Sequence, residues 1–267
     1  MQPQNTLFPA ARRQWLAVDG FVTDRFLVNY RAPATELARL VPAPFTLDCY
    51  GGHGFLSVCV LEVRSMGIRA LPRALRFHNL EVLYRLGVRF GDRPSFVSLR
   101  SDTSSRALAL LGGCFSHYRL RAARIRLSRG RGRFALQAQT RNGSADAHFD
   151  VDPSRTRRTS PTSAFSDAAE ADRRLLGMAF SVDPGRRGRV LLQPIEHSPW
   201  RARFVEPRAL YFEFLDRLSR DYAIPLEYDS TLAMRGIHQT WHAARWVARA
   251  AAGSGAAEPT TALELAA

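Results

Sequence analysis

The chain has 267 residues, 46% of them hydrophobic and 23% charged, which suits one large domain or two small ones with a real core. All 38 basic side chains other than histidine are arginine and none is lysine. Schiff-base catalysis, an internal pyridoxal-phosphate aldimine and a phosphate-loop lysine are therefore excluded. The formal net charge of +14 raises nucleic acid as a partner, but the arginines are spread along the whole chain. Their clusters at 129–133, 155–158 and 186–189 sit beside Gly, Ser or Pro, as solvated turns would. No finger, basic zipper or RNA-recognition signature accompanies them, so nucleic acid is not the expected partner. Without a run of about 18 apolar residues or an apolar stretch at the start of the chain, no membrane contact is expected and the cytoplasm is the default location.

In chain order, Phe26, Val28 and Tyr30 share one face of a strand over 26–30. Residues 34–41 read as a short helix stopped by Pro42. Strands are expected over 54–63, 77–86, 95–100, 117–127 and 134–141, with a short Ala/Leu-rich helix over 104–111. The glycines of Ser128 to Arg133 and the Asn142-Gly143 pair mark hairpin turns. Residues 152–165 are polar and proline-punctuated, hence a loop. Asp167 and Glu170 form a capping box that opens a helix to Met178. Strands follow over 189–196 and 201–205, then a helix over 207–220 with Pro207 in its first turn, then a strand over 226–237. Cys49, Cys59 and Cys114 form no CxxC pair and read as free buried thiols.

This pattern predicts an α+β domain: a closed or strongly curved antiparallel β-barrel or cone with a few short helices. A single domain over 20–249 is expected, with an N-terminal extension over 1–19 and a disordered tail over 250–267. Closure removes exposed edges and encloses room for a small ligand.

The opening strand through Tyr30-Arg31, the short helix, and Leu40-Val41-Pro42-Ala43-Pro44-Phe45 resemble the start of the acetoacetate decarboxylase-like superfamily. The block from Glu81 to Arg119 fits the same scheme. A fuller resemblance is to its uncharacterised YqjF-like branch, through Leu80-Glu81-Val82-Leu83-Tyr84-Arg85, Ser101-Asp102-Thr103, His117-Tyr118-Arg119 and Pro199-Trp200. The resemblance implies a β-cone around a central small-molecule pocket. Decarboxylases of that superfamily use a pocket lysine beside a second lysine. Tyr118 and Arg119 stand at those two positions here, so decarboxylation through a Schiff base is ruled out. Glu81 matches the family's pocket glutamate, and the family's arginine falls near Thr23, with Arg25 two residues on.

Glu81 points opposite to Leu80 and Val82. If those two pack outward, its carboxylate is desolvated inside the cone and suits a general base; in the reverse orientation it is solvated or paired to Arg85. Tyr118 in the pocket would polarise a developing oxyanion, and Arg119 would clamp an anion. Neighbours on a strand face opposite sides, so both enter one pocket only through an irregularity, for which Gly112-Gly113 gives scope; His117 shares the face of Arg119. Arg31 and Arg25 are further candidates for positioning an anionic group. His197 reads as a turn histidine. His238 and His242 have the spacing of two ligands on a helix face, but a third ligand is not evident, so no metal is expected. No cofactor is expected either.

The leading expectation is a protein that binds a small organic carboxylate or carbonyl compound, with cofactor-free acid–base chemistry of the lyase, hydratase or isomerase type through Glu81 and Tyr118. The alternatives are a non-catalytic small-molecule binder or sensor, and a basic surface protein contacting nucleic acid. Homo-oligomerisation stays open.

Overall fold

The run Phe26-Leu27-Val28 has no polar residue to turn to solvent, and the computed structural model places both of its faces in cores. The structure describes residues 14–70, 72–115, 120–130, 132–175, 179–185 and 189–248. In chain order the elements are β1 (Val18–Pro33), α1 (Ala34–Leu37, continued by a 3-10 turn at Ala38–Leu40), β2 (Thr46–Leu47), β3 (Cys49–Tyr50), β4 (His53–Ile68), β5 (Phe77–Phe90) and β6 (Arg93–Thr103). They continue with α2 (Arg106–Phe115), β7 (Leu120–Ala122), β8 (Arg124–Gly130), β9 (Arg133–Gln139), β10 (Ala147–Arg157), α3 (Ala168–Leu175) and β11 (Phe180–Pro184). Last come β12 (Arg189–His197), β13 (Arg203–Phe212), α4 (Glu213–Tyr222), β14 (Glu227–Trp241) and β15 (Arg245–Ala248).

All the strands belong to one sheet. Seven of them, in the order β12-β11-β6-β5-β4-β1-β14, return to β12 through pairing of Ile195–His197 with Gln239–Trp241 and so close a ring. The expected curved sheet with few short helices is therefore present. The pairs β6–β11 and β6–β7 are parallel, so the sheet is not purely antiparallel. From β14, a wing of β13, β10, β9 and β8 folds back.

Alternate residues of each ring strand enter two different cores. Phe26, Val28, Val58, Val60, Val82 and Tyr84 meet Phe134 and Phe149 of the wing and Leu215 and Leu218 of α4. Phe26 lies 4.7 Å from Phe134 and 5.1 Å from Phe149, ring centroid to centroid. The intervening residues Leu27, Cys59, Leu61 and Leu83 enter a second core with Phe165, Ala171 and Leu175 on and before α3, and Val22 joins them across a bulge in β1. This second core also holds buried polar groups, and the candidate site lies there.

Several sequence-based expectations are corrected. The first strand is three times as long as its apolar pattern indicated, because Arg25 and Asn29 are buried along with its hydrophobes. Residues 152–157 continue β10 instead of looping, and within it Asp152 accepts from Ser154 Oγ at 2.5 Å. Pro207 does not open a helix: it lies in β13 opposite Val151, at a bulge in the ladder, a position that tolerates a missing N–H. The helix starts only at Glu213. The strand expected over 117–127 is two strands parted at Ala123, and residues 117–119 lie outside the described residues. His238 is in β14, not on a helix, and His242 lies just past it, 3.1 Å from Glu196. Cys59 is buried as expected, but Cys49 is exposed.

The chain is tied into the sheet from Gln14 onward. The buried Gln14 side chain donates to Trp241 O at 3.1 Å and accepts from Gln193. Half of the expected capping box forms at α3: Asp167 Oδ1 accepts from the Glu170 N–H at 2.8 Å, while the Glu170 carboxylate accepts from the Ser166 N–H instead of that of Asp167. Among the described residues, no helix is long and apolar enough to cross a membrane.

Candidate functional site

Strand register assembles the site. Met234, Arg25, Leu61, Glu81 and Thr103 oppose one another across β14, β1, β4, β5 and β6. The next row on the same face is Leu232, Leu27, Cys59, Leu83 and Ser101. Directly opposed residues project to the same side of a sheet, so Arg25, Cys59, Glu81 and Ser101 share one surface. Val82 is buried in the other core, which turns Glu81 into this one.

Glu81 is 5% exposed and accepts a 2.6 Å hydrogen bond from Ser101 Oγ. Burial pushes its carboxyl up to about 7, against the lowering influence of that hydroxyl and of Arg25, while Asp102 adds to the rise. Near neutral pH the group therefore exchanges a proton readily, as an acid–base residue must. The same desolvation holds the Cys59 thiol above its ordinary value, partly offset by Arg25 and Arg85.

Arg25 is 7% exposed. Its Nη2 donates to Gln239 Oε1, and its guanidinium carbon lies 5.7 Å from the Trp200 ring centroid. Its Nε has no hydrogen-bond partner, and no carboxylate stands within ion-pair distance among the described residues. Trp200 is itself fixed: its indole N–H donates to Asp172 Oδ1 at 2.8 Å, and the His197 ring packs on it at 3.6 Å between centroids. Burial raises the Asp172 carboxyl and lowers the His197 imidazole, which keeps His197 neutral at pH 7. On the far side Arg85 donates to Leu175 O at 2.7 Å and lies over Phe96.

Of the residues singled out from sequence, Glu81 and Arg25 come together here. Arg31 does not: it lies six residues along β1, roughly 20 Å away. It is also occupied, donating to Thr162 O and to Asp229 and Glu227. His117, Tyr118 and Arg119 lie outside the described residues; the chain resumes at Leu120, which opposes Ser101 in the parallel pair β6–β7. Gln239 and Asp172 were not anticipated, because their partners in space are 214 and 28 residues away in sequence; Ser101 carried a signal in the Ser101-Asp102-Thr103 mark, but not its bond to Glu81. Trp200 carried a signal in the Pro199-Trp200 pair, but not its role under Arg25. Among the described residues, no group of His, Cys, Asp and Glu is arranged to hold a metal ion.

A groove of about 710 Å³ opens at the end of the ring between β1, β12 and β14. His197 and Gln239 form part of its wall, with Phe21, Pro199, His238 and Thr240.

The ring, the wing and the short helices define an acetoacetate decarboxylase-like fold. The chain is similar to the acetoacetate decarboxylase of Legionella pneumophila, with 14% identity, a TM-score of 0.56 and coverage of 91% of this chain and 89% of that one. It is similar to an acetoacetate decarboxylase-like enzyme from Sphingomonas wittichii at 14% identity and TM-score 0.58, covering 87% and 94%. The enduracididine biosynthesis enzyme MppR, solved with the condensation product of pyruvate and imidazole 4-carboxaldehyde, matches at 17% identity and TM-score 0.56, covering 92% of each chain. Within this fold the chain belongs to the DUF2071 family, described as an uncharacterized conserved protein (COG2071), whose model matches residues 22–237. No curated protein matches the chain.

Proposed function

We propose that the chain binds a small organic acid bearing a carbonyl group, with Arg25 taking the carboxylate and Glu81 moving a proton on the adjacent carbon. The observation that carries this reading is the buried Arg25 guanidinium, which has a neutral carboxamide as its hydrogen-bond partner and one N–H unused. A buried cation without a carboxylate in direct contact is costly, and a ligand carboxylate supplies that partner in bidentate, charge-assisted form. Glu81 then removes a proton α to the carbonyl, and the electron pair moves onto the carbonyl oxygen. Tyr118 donates a hydrogen bond to that oxygen in this reading, and Arg119 or His117 steadies the anion. Arg31 is left out because its guanidinium is engaged elsewhere. The chain has no lysine, so no imine forms. The choice of ligand class is supported by MppR, which has been solved in complex with pyruvate.

Calorimetric titration with pyruvate tests the reading, together with NMR detection of deuterium exchange at the pyruvate methyl group. Saturable binding that weakens at least about tenfold in Arg25→Met, and exchange that is lost in Glu81→Gln, are expected. Binding that is indifferent to Arg25→Met removes the assignment. Binding without any exchange makes the protein a binder and not a catalyst.

A further inference from the structure

The groove at the end of the ring and the Arg25 site are separated by a single layer of side chains. Gln239 and His197 face the groove; Gln239 bonds the guanidinium directly, its Oε1 accepting from Arg25 Nη2, and His197 backs the indole over which Arg25 lies. We infer that the groove is the outer half of the ligand site: it holds the extended, uncharged tail of an organic acid whose carboxylate displaces the Gln239 carboxamide from Arg25. This inference rests on the reading of Arg25 given above.

Three observations carry it. The first is size: about 710 Å³ falls in the range of sites that enclose ligands much larger than a three-carbon acid. The second is charge. Arg76 is paired with Asp19 at 2.9 Å, and the His242 ring lies 3.1 Å from Glu196. His197 is held neutral by burial. The arginine of the groove is therefore not free for a second carboxylate, while Phe21 and His238, whose rings lie 4.9 Å apart, offer faces to a planar or aliphatic tail. The third is the partition itself. A carboxamide is a weaker partner for a guanidinium than a carboxylate, so an acid arriving from the groove gains by replacing Gln239. The released carboxamide turns toward the groove and is hydrated there.

The probes are pyruvate, which lacks a tail, and phenylpyruvate, which has one, titrated by calorimetry into the full chain. Phenylpyruvate is expected to bind at least tenfold more tightly. Filling the groove by Thr240→Trp on β14, or independently by Pro199→Trp on the turn after β12, is expected to bring the ratio of the two affinities close to one. Two sites on separate elements guard against one variant failing to fold. A ratio near one in the unmodified protein, or a ratio that survives both substitutions, overturns the groove assignment and leaves the Arg25 reading standing. Binding of both acids that survives Arg25→Met overturns the two together.

Discussion

At Glu81 the parity of a strand decides the chemistry. Leu80 and Val82 flank it, and placing Val82 in the wing-side core turns the carboxylate into the polar core. Arg25 opposes Leu61, which opposes Glu81, so it emerges on the face of Glu81, whereas Thr23 falls in the β1–β4 bulge between Val22 and Asp24. The raised Glu81 value has a consequence for stability. The folded protein holds a proton that the unfolded chain releases above about 4.5, so this contribution is complete below that pH. It is lost as pH rises to about 7, an effect of the order of 3 kcal/mol. Glu81→Gln cannot ionise. Its stability relative to the unmodified protein is expected to rise between pH 4.5 and 7, as read from urea midpoints. Parallel pH profiles would show that the carboxylate is solvated after all.

At the scale of elements, the β8–β9 hairpin is held by a charge cluster that composition alone disguised. Arg129 was expected in a solvated turn, yet it bridges Asp24 and Glu62, two carboxylates that are nearly fully buried on adjacent strands. Arg235 also binds Asp24 at 2.6 Å, and Arg64 and His78 reach Glu62. Because those partners remain, Arg129→Met should destabilise by about 1–3 kcal/mol, less than the loss of an isolated buried pair. Chemical denaturation measures this, and an unchanged midpoint would mean the bridge contributes nothing. Close approach makes a second element test. A Cβ on Gly54 would lie 2.6 Å from Leu47 Cδ2 and 2.9 Å from Leu37 Cδ2, where α1 and β2 fold over β4. Gly54→Ala is expected to cost about 1–3 kcal/mol by overpacking. Gly130→Ala, which would meet nothing within 4 Å, should change stability by no more than about 0.5 kcal/mol. Equal effects of the two would refute the packing there. Local signals served unevenly at this scale. Gly132 and Gly143 do adopt positive φ at the turns their sequence marked, because a turn is decided by adjacent residues. Pro207 misled, because a bulge made by distant β10 accepts the same residue that opens a helix.

Across the whole molecule, the sheet-rich class and the lack of any amine nucleophile were legible, the first from period-two patterning and the second from composition. Ring closure was implied by the family resemblance but not by the patterning itself. It depends on Ile195–His197 meeting Gln239–Trp241, and nothing in either segment names the other. The second core escaped for a related reason: a strand buried on both faces reads as a short apolar run, and the pattern over 26–30 marked only the face of Phe26, Val28 and Tyr30. The same long-range closure brings Gln239, Trp200 and Asp172 around Arg25, and it makes the groove. The account depends on that arrangement accepting an acid without covalent capture. A crystal structure with pyruvate at saturation tests it most directly. The carboxylate is predicted on the Arg25 guanidinium in place of Gln239, with the carbonyl carbon's neighbour facing Glu81 and no bond from ligand to protein. Pyruvate bound elsewhere, with Arg25 still held by Gln239, would contradict it.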